Sequence, residues 1–212
     1  AMTGYQEIMT DPSFAGQIIN FAFPHIGNVG ANIEDMEATN PHALGAIVRQ
    51  DVTDPSNFRS SQHFDAWMKT NGRIGISGVD TRALTRLIRE KGAPNGVIAH
   101  SAASEFDIPA LLEQARSWPG LEGMDLAKDV STLQSYGWDE GLWKLGEGYR
   151  GGVATPRGVS TTLDTNGDGE HSLKNPFASR EVERPISKRP KVVAIDYGIK
   201  RNILRNLVDA GC

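Results

Sequence analysis

The sequence predicts a mixed α/β chain, and three stretches carry that reading. Residues 17–23, Gln-Ile-Ile-Asn-Phe-Ala-Phe, are apolar on both sides of a period-two repeat, as in a strand covered on both faces. Residues 80–91 run from an aspartate to a Lys-Gly-Ala-Pro stop with leucines at helical spacing. Residues 191–195, Lys-Val-Val-Ala-Ile, form a β-branched run that leads through Asp196-Tyr197-Gly198 into a second helical stripe. A buried strand, a tight turn and a helix make the first βα unit of a parallel sheet.

The opening stretch, residues 4–30, reads as a turn, a strand and a second turn. Asp11-Pro12-Ser13 is turn chemistry, because proline presets φ and short polar side chains bond nearby backbone. Pro24 ends the strand, having no N–H for a ladder. Gly27, Asn28 and Gly30 permit positive φ in the next loop. Such a framed loop suits a small ligand, and a purely structural hairpin is the alternative.

A second strand is expected over residues 43–48, after Asn40-Pro41. Asp54-Pro55-Ser56-Asn57 is a turn, and Ser60 or Ser61 can cap a short helix with an apolar face of Phe64, Trp67 and Met68. Asn71-Gly72 stops it, and residues 73–77 make a short strand. In the helix over 80–91, Asp80 is the N-cap, Val79 and Leu84 stand at staple positions, and Ala83, Leu84, Leu87 and Ile88 form the stripe expected to be buried. Arg82, Arg86 and Arg89 line another side, either a solvated face or a contact for an acidic partner.

Residues 95–100 read as a further strand. Asp107 and Pro109 open a helix with Ile108, Leu111, Leu112 and Ala115 on one side, ending at Pro119-Gly120. Trp138 and Trp143, with Gly141 between them, read as a paired edge segment. Packing is the expected role, since no basic groove surrounds them to make a base-stacking platform. Residues 146–189 are rich in Gly, Ser, Thr, Pro and charge, the composition of an interdomain linker. Within it, Asp164-Thr165-Asn166-Gly167-Asp168-Gly169 fits the first half of a calcium loop, but Asn175 stands at the twelfth position where a bidentate Glu belongs.

The runs Met2 to Glu7, Thr10 to Ser13 and Pro24 to Asn28 closely resemble the N-terminal domain of the small, glutamine amidotransferase subunit of carbamoyl phosphate synthetase. Asp-Thr-Arg-x-Leu-Thr-Arg-Leu-x-Arg-Glu-Lys-Gly at 80–92 and Gly-Leu-Glu-Gly-Met-Asp-Leu-Ala at 120–127 match the same family. Asp-Tyr-Gly-x-Lys-x-Asn-Ile-Leu-Arg from Asp196 resembles the opening of that subunit's class I amidotransferase domain. The resemblance implies a swivelling β/β/α-type domain over residues 1–149, a partly mobile linker over 150–189, and the first βα unit of a flavodoxin-like amidotransferase domain over 190–212. The chain is accordingly expected to be a piece of a longer protein. The family's linker is usually shorter than the one here.

Amide hydrolysis needs an activated nucleophile, a base and an oxyanion hole. The single thiol, Cys212, follows Ala-Gly rather than sitting in a Gly-x-Cys-x-Gly elbow, and Ala1 offers no nucleophile. His25, His42, His63, His100 and His171 share no triad or metal-ligand spacing with carboxylates, so no catalytic or metal residue is expected here. The resemblance implies a Cys–His–Glu triad beyond residue 212, with Ser13 contributing to the L-glutamine site. It also implies a large-subunit partner in a heterodimer or higher assembly, with ATP and Mg on that partner and no cofactor in this chain. A non-catalytic structural or regulatory relative, and a calcium-binding module, are the alternatives. Net charge is −4 with no basic block, which excludes an electrostatic footprint for nucleic acid. No apolar run approaches the ~20 residues of a membrane helix. One cysteine and no signal peptide predict a reducing, cytoplasmic setting.

Overall fold

The computed structural model describes residues 3–151 and 190–212. The linker centre and its calcium-like run at 164–169 lie outside the described residues. The chain divides into two compact units, Ala1–Thr132 with Asp196–Asn202, and Leu133–Ile195 with Ile203–Cys212.

The first unit is built on a three-stranded parallel sheet, β1 (Ile18–Asn20), β2 (Gly45–Ile47) and β3 (Ile74–Ile76), in that spatial order. Ile18 lies opposite Gly45, and Gly45 opposite Ile74. The strands are shorter than the apolar runs that predict them. Single ladder bonds extend the pairing, Leu44 N–H to Gln17 C=O and Phe21 N–H to Ile47 C=O, before the backbone turns away. Three helices of this unit come where expected. Helix α2 (Phe64–Thr70) puts Phe64, Trp67 and Met68 into the core. Its N-cap is His63, whose ring accepts from Asp65 N–H, and not Ser60 or Ser61. Helix α3 (Thr81–Lys91) starts on Asp80, which accepts from Ala83 N–H at 3.1 Å, and stops at Gly92. Helix α4 (Ile108–Ser117) is capped by Asp107, and α5 (Ala127–Val130) is one turn.

Several expectations are corrected. Residues 5–10 form a helix, α1 (Tyr5–Thr10), rather than part of a turn. Tyr5, Gln6, Met9 and Thr10 are its buried face, a spacing of i, i+1, i+4 and i+5 that marks a short amphipathic helix. Residues 95–100 make no strand. The α3 stripe is not a core face: Thr81 is buried, Leu84 and Ile88 are half-covered, and Ala83 and Leu87 are exposed. The β-branched run 191–195 forms no strand, and Val193 is 90% and Ile195 76% exposed. A strand exists only through its neighbours, and no described strand lies alongside it.

The core gathers Tyr5, Met9, Phe21, Ile26, Ala46, Val48, Phe64, Trp67 and Met68. Tyr5 and Phe64 meet with ring centroids 4.5 Å apart, and Phe64 stacks on Trp67 at 5.6 Å. The second unit holds a hairpin, β4 (Trp143–Lys144) with β5 (Gly148–Tyr149), which places Trp143 opposite Tyr149. Helix α6 (Arg201–Asp209) supplies Arg205, which pairs with Glu140 at 2.8 Å and lies over the Tyr149 ring at 3.7 Å. Trp138 donates its indole N–H to Glu140 C=O and faces the same guanidinium, so both tryptophans pack.

Candidate functional site

Helix α1 is the foundation of the site. The Tyr5 hydroxyl donates to Gly30 C=O at 2.8 Å and accepts from Val29 N–H at 3.0 Å. Burial pushes its pKa up to about 12, so it stays a donor. Gln6 bonds the backbone of Asn32 reciprocally, Nε2 to C=O at 2.6 Å and N–H to Oε1 at 2.9 Å. Thr10 donates to Gln6 C=O and accepts from Glu37 N–H. Every polar group on the inward face of α1 is therefore spent on fixing the loop at 29–37. Gly30 sits at φ +73°, and a Cβ there would run into Ser60 and approach Gln62 C=O to 3.0 Å.

The Asp11-Pro12-Ser13 turn leaves this helix as a single 3₁₀ turn, Pro12–Phe14. Asp11 is buried and uses both carboxylate oxygens. Oδ1 accepts from Ser13 N–H at 2.9 Å, and Oδ2 pairs with Lys200 Nζ at 2.6 Å. The Asp196-Tyr197-Gly198 turn reaches the same place. Asp196 Oδ1 accepts from Gly198 and Ile199 N–H, at 2.9 and 2.8 Å. Gly198, at φ +92°, lies so close that a Cβ would stand 3.0 Å from Pro12 Cβ and 2.6 Å from Val130. Glu37 accepts from Arg201 N–H through its C=O and from Asn202 N–H through its carboxylate, at the start of α6.

Ser13 stands on this rigid turn with its side chain exposed, and among the described residues its hydroxyl has no partner. Lys200, 41% exposed at the side chain, is brought beside this turn by its ion pair with Asp11, and sequence reading did not single it out. Its spacing carries no signal, since 187 positions separate it from Ser13 and only folding joins them.

The remaining candidates disperse. Among the described residues no three His, Cys, Asp or Glu side chains come together to hold a metal ion. His25 is exposed against Phe23, His42 is half-buried with its pKa lowered by burial, and His63 caps α2. His171 lies outside the described residues. Cys212 follows α6, with its N–H on Leu207 C=O, and no strand-to-helix elbow frames it. A cavity of about 640 Å³ floored by Phe64, Met68 and Ile74, with His63, Arg73 and His100 among its walls, does not include Ser13. No described helix is long and apolar enough to cross a membrane.

Among the described residues Glu7 is the one carboxyl with a strongly displaced pKa. Burial, with Asp35 and Glu37 adding repulsion against the attraction of Arg59, raises it from 4.5 to about 7. The folded state then binds its proton more tightly than the unfolded chain, so stability falls as pH rises from about 4.5 to 7. Glu7→Gln is expected to flatten that slope and to leave the protein more stable than wild type at pH 8. Urea titrations at pH 5 and pH 8 check it, and an unchanged slope would remove Glu7 as its source.

Residues 1–98 match the family model for the carbamoyl-phosphate synthase small chain, CPSase domain. The carbamoyl phosphate synthase small chain of Zymomonas mobilis subsp. mobilis is 59% identical over 211 residues, covering 100% of this chain and 48% of that protein. Those of Bradyrhizobium diazoefficiens and Ruegeria pomeroyi are 50% and 49% identical, again over 100% of this chain and 46% of each relative. The chain spans about half the length of the curated relatives it matches. The similarity to carbamoyl phosphate synthase small chains runs over the whole of this chain, and residues 1–98 carry that family's CPSase domain.

Proposed function

We propose that this chain is the N-terminal portion of a small subunit that hydrolyses glutamine and passes ammonia to a large subunit, which makes carbamoyl phosphate from bicarbonate and ATP for arginine and pyrimidine synthesis. The observation that carries the reading is the meeting of two distant family runs at one point, with Lys200 Nζ 2.6 Å from Asp11 Oδ2 beside Ser13. Ser13 offers a hydroxyl that donates to the substrate's carboxylate or accepts from its ammonium. Lys200 offers a cation for the carboxylate, held in place by Asp11. The attacking thiolate and its His and Glu belong to the part of the relatives' length that this chain does not span. This chain thus provides one wall of the glutamine site and holds no reactive centre.

The finer architecture is part of the same proposal: a swivelling β/β/α-type domain over 1–149, a linker over 150–189, and from residue 190 the start of a flavodoxin-like domain, in which the run 191–195 would become a strand only beside neighbours outside the described residues. ATP and Mg belong to the large subunit, the pair works as a heterodimer or a higher assembly, and the setting is the cytoplasm. The test uses the complete protein. Purified small chain is expected to bind the large subunit and to release ammonia from glutamine. Binding without glutamine hydrolysis would make it the non-catalytic relative, and failure of both would overturn the reading.

A further inference from the structure

We propose that the arginine face of α3 docks onto an acidic surface of the synthase partner. The inference rests on the small-subunit reading above and adds the surface that makes the contact. Helix α3 is set in rotation by its threonine side. Asn20, at the end of β1, donates through Nδ2 to Thr81 C=O at 3.1 Å and to Thr85 Oγ1 at 2.9 Å. That anchorage turns Arg82, Arg86 and Arg89, at i, i+4 and i+7, into one exposed line. Just past the carboxyl ends of β1 and β2 lies a shallow cleft of about 510 Å³, lined by Ala22, Arg49, Asp80, Arg82, Thr85 and Arg86.

Charge is unbalanced there. Among the described residues Asp80 is the only acid lining the cleft, and it is already engaged, accepting from Ala83 N–H and pairing with Arg49 at 3.2 Å. Among the described residues Arg82 and Arg86 have no carboxylate within ion-pair distance. Like charges at i, i+4 disfavour the helix that carries them, and this chain is acidic overall, at −4. The face is bordered by Ala83 and by Leu87, 40% exposed, and arginines beside exposed apolar carbon are the composition of a protein interface. An open, near-flat line of guanidinium groups suits carboxylates spread over a protein surface. It lacks the interleaved aromatics that single-stranded nucleic acid uses.

The test is the affinity of the complete small chain for the large subunit at low and high salt. Arg82→Glu with Arg86→Glu is expected to weaken association about 100-fold at low salt, and Arg82→Lys with Arg86→Lys by less than about fivefold. Wild-type affinity is expected to fall with added salt, and that of the charge-reversed pair to change little. Unchanged affinity in the charge-reversed pair overturns the proposal while leaving the small-subunit reading intact. A wild-type chain that binds no large subunit sinks that reading instead. Where charge reversal lowers the melting midpoint, Arg82→Gln with Arg86→Gln is read in its place, with about tenfold weaker association expected and no change overturning the proposal. Stabilisation by inorganic phosphate that the Gln pair abolishes, with subunit affinity unchanged, would assign the cleft to a small anion and also overturn it.

Discussion

Ser13→Ala in the complete protein is expected to raise the KM for glutamine about 10- to 100-fold while leaving synthesis from free ammonia at the wild-type rate. The range follows from losing one hydrogen bond to a charged group, about 1.5–3 kcal/mol. Selectivity is the informative part. The Ser13 hydroxyl holds up nothing in its own turn, because the N–H to Asp11 and the C=O to Gln17 are backbone groups. Alanine keeps both, so the fold is expected to be unaffected and only the proposed substrate contact to be lost. Equal loss of glutamine-dependent and ammonia-dependent rates would show that Ser13 acts on folding or subunit contact, and would end its assignment to the glutamine site.

Phe64→Ala is expected to cost about 3–5 kcal/mol of stability, the range for deleting a buried aromatic side chain. Phe64 is fully buried, packed between Tyr5 at 4.5 Å and Trp67 at 5.6 Å. Both neighbours are large rings held by other contacts, so the site cannot collapse to fill the void. The damage would spread toward function through Tyr5, whose hydroxyl holds Val29 and Gly30. Urea unfolding of the complete protein reads the effect. A cost below about 1 kcal/mol would mean that the rings close over the gap and that this cluster is not the keystone of the first unit.

What was legible in the sequence was what is written locally. Asp80 and Gly92 bracket α3 and Asp107 opens α4, each through a backbone requirement that a single residue meets, whereas β1 stops at Asn20, well before the Pro24 expected to end it. The Asp11-Pro12-Ser13 turn was legible for the same reason. Helix α1 was not. At six residues it has no propensity of its own to show, and its helicity comes from Tyr5, Gln6 and Thr10 bonding a loop more than twenty positions away. The His63 cap was missed because two better capping residues, Ser60 and Ser61, stand just before it and are drawn instead to Gln62 and Ala31. The strand expected over 191–195 has the right composition, but composition cannot supply the neighbours a ladder needs. For the candidate site, the sequence named Ser13 and left out Lys200, whose place beside the turn depends on the whole intervening chain.

The all-parallel order of β1, β2 and β3 bears on how the polypeptide emerges from the ribosome. A hairpin can zip as soon as its turn is made. Here each strand must wait, unpaired, until its neighbour and the connection to it have been synthesised. During that interval Ile18 and Ile19 have neither ladder nor cover, and α1 has no loop to grasp. The burden on chaperones therefore falls on the segments made ahead of their partners, the same ones that later frame the serine.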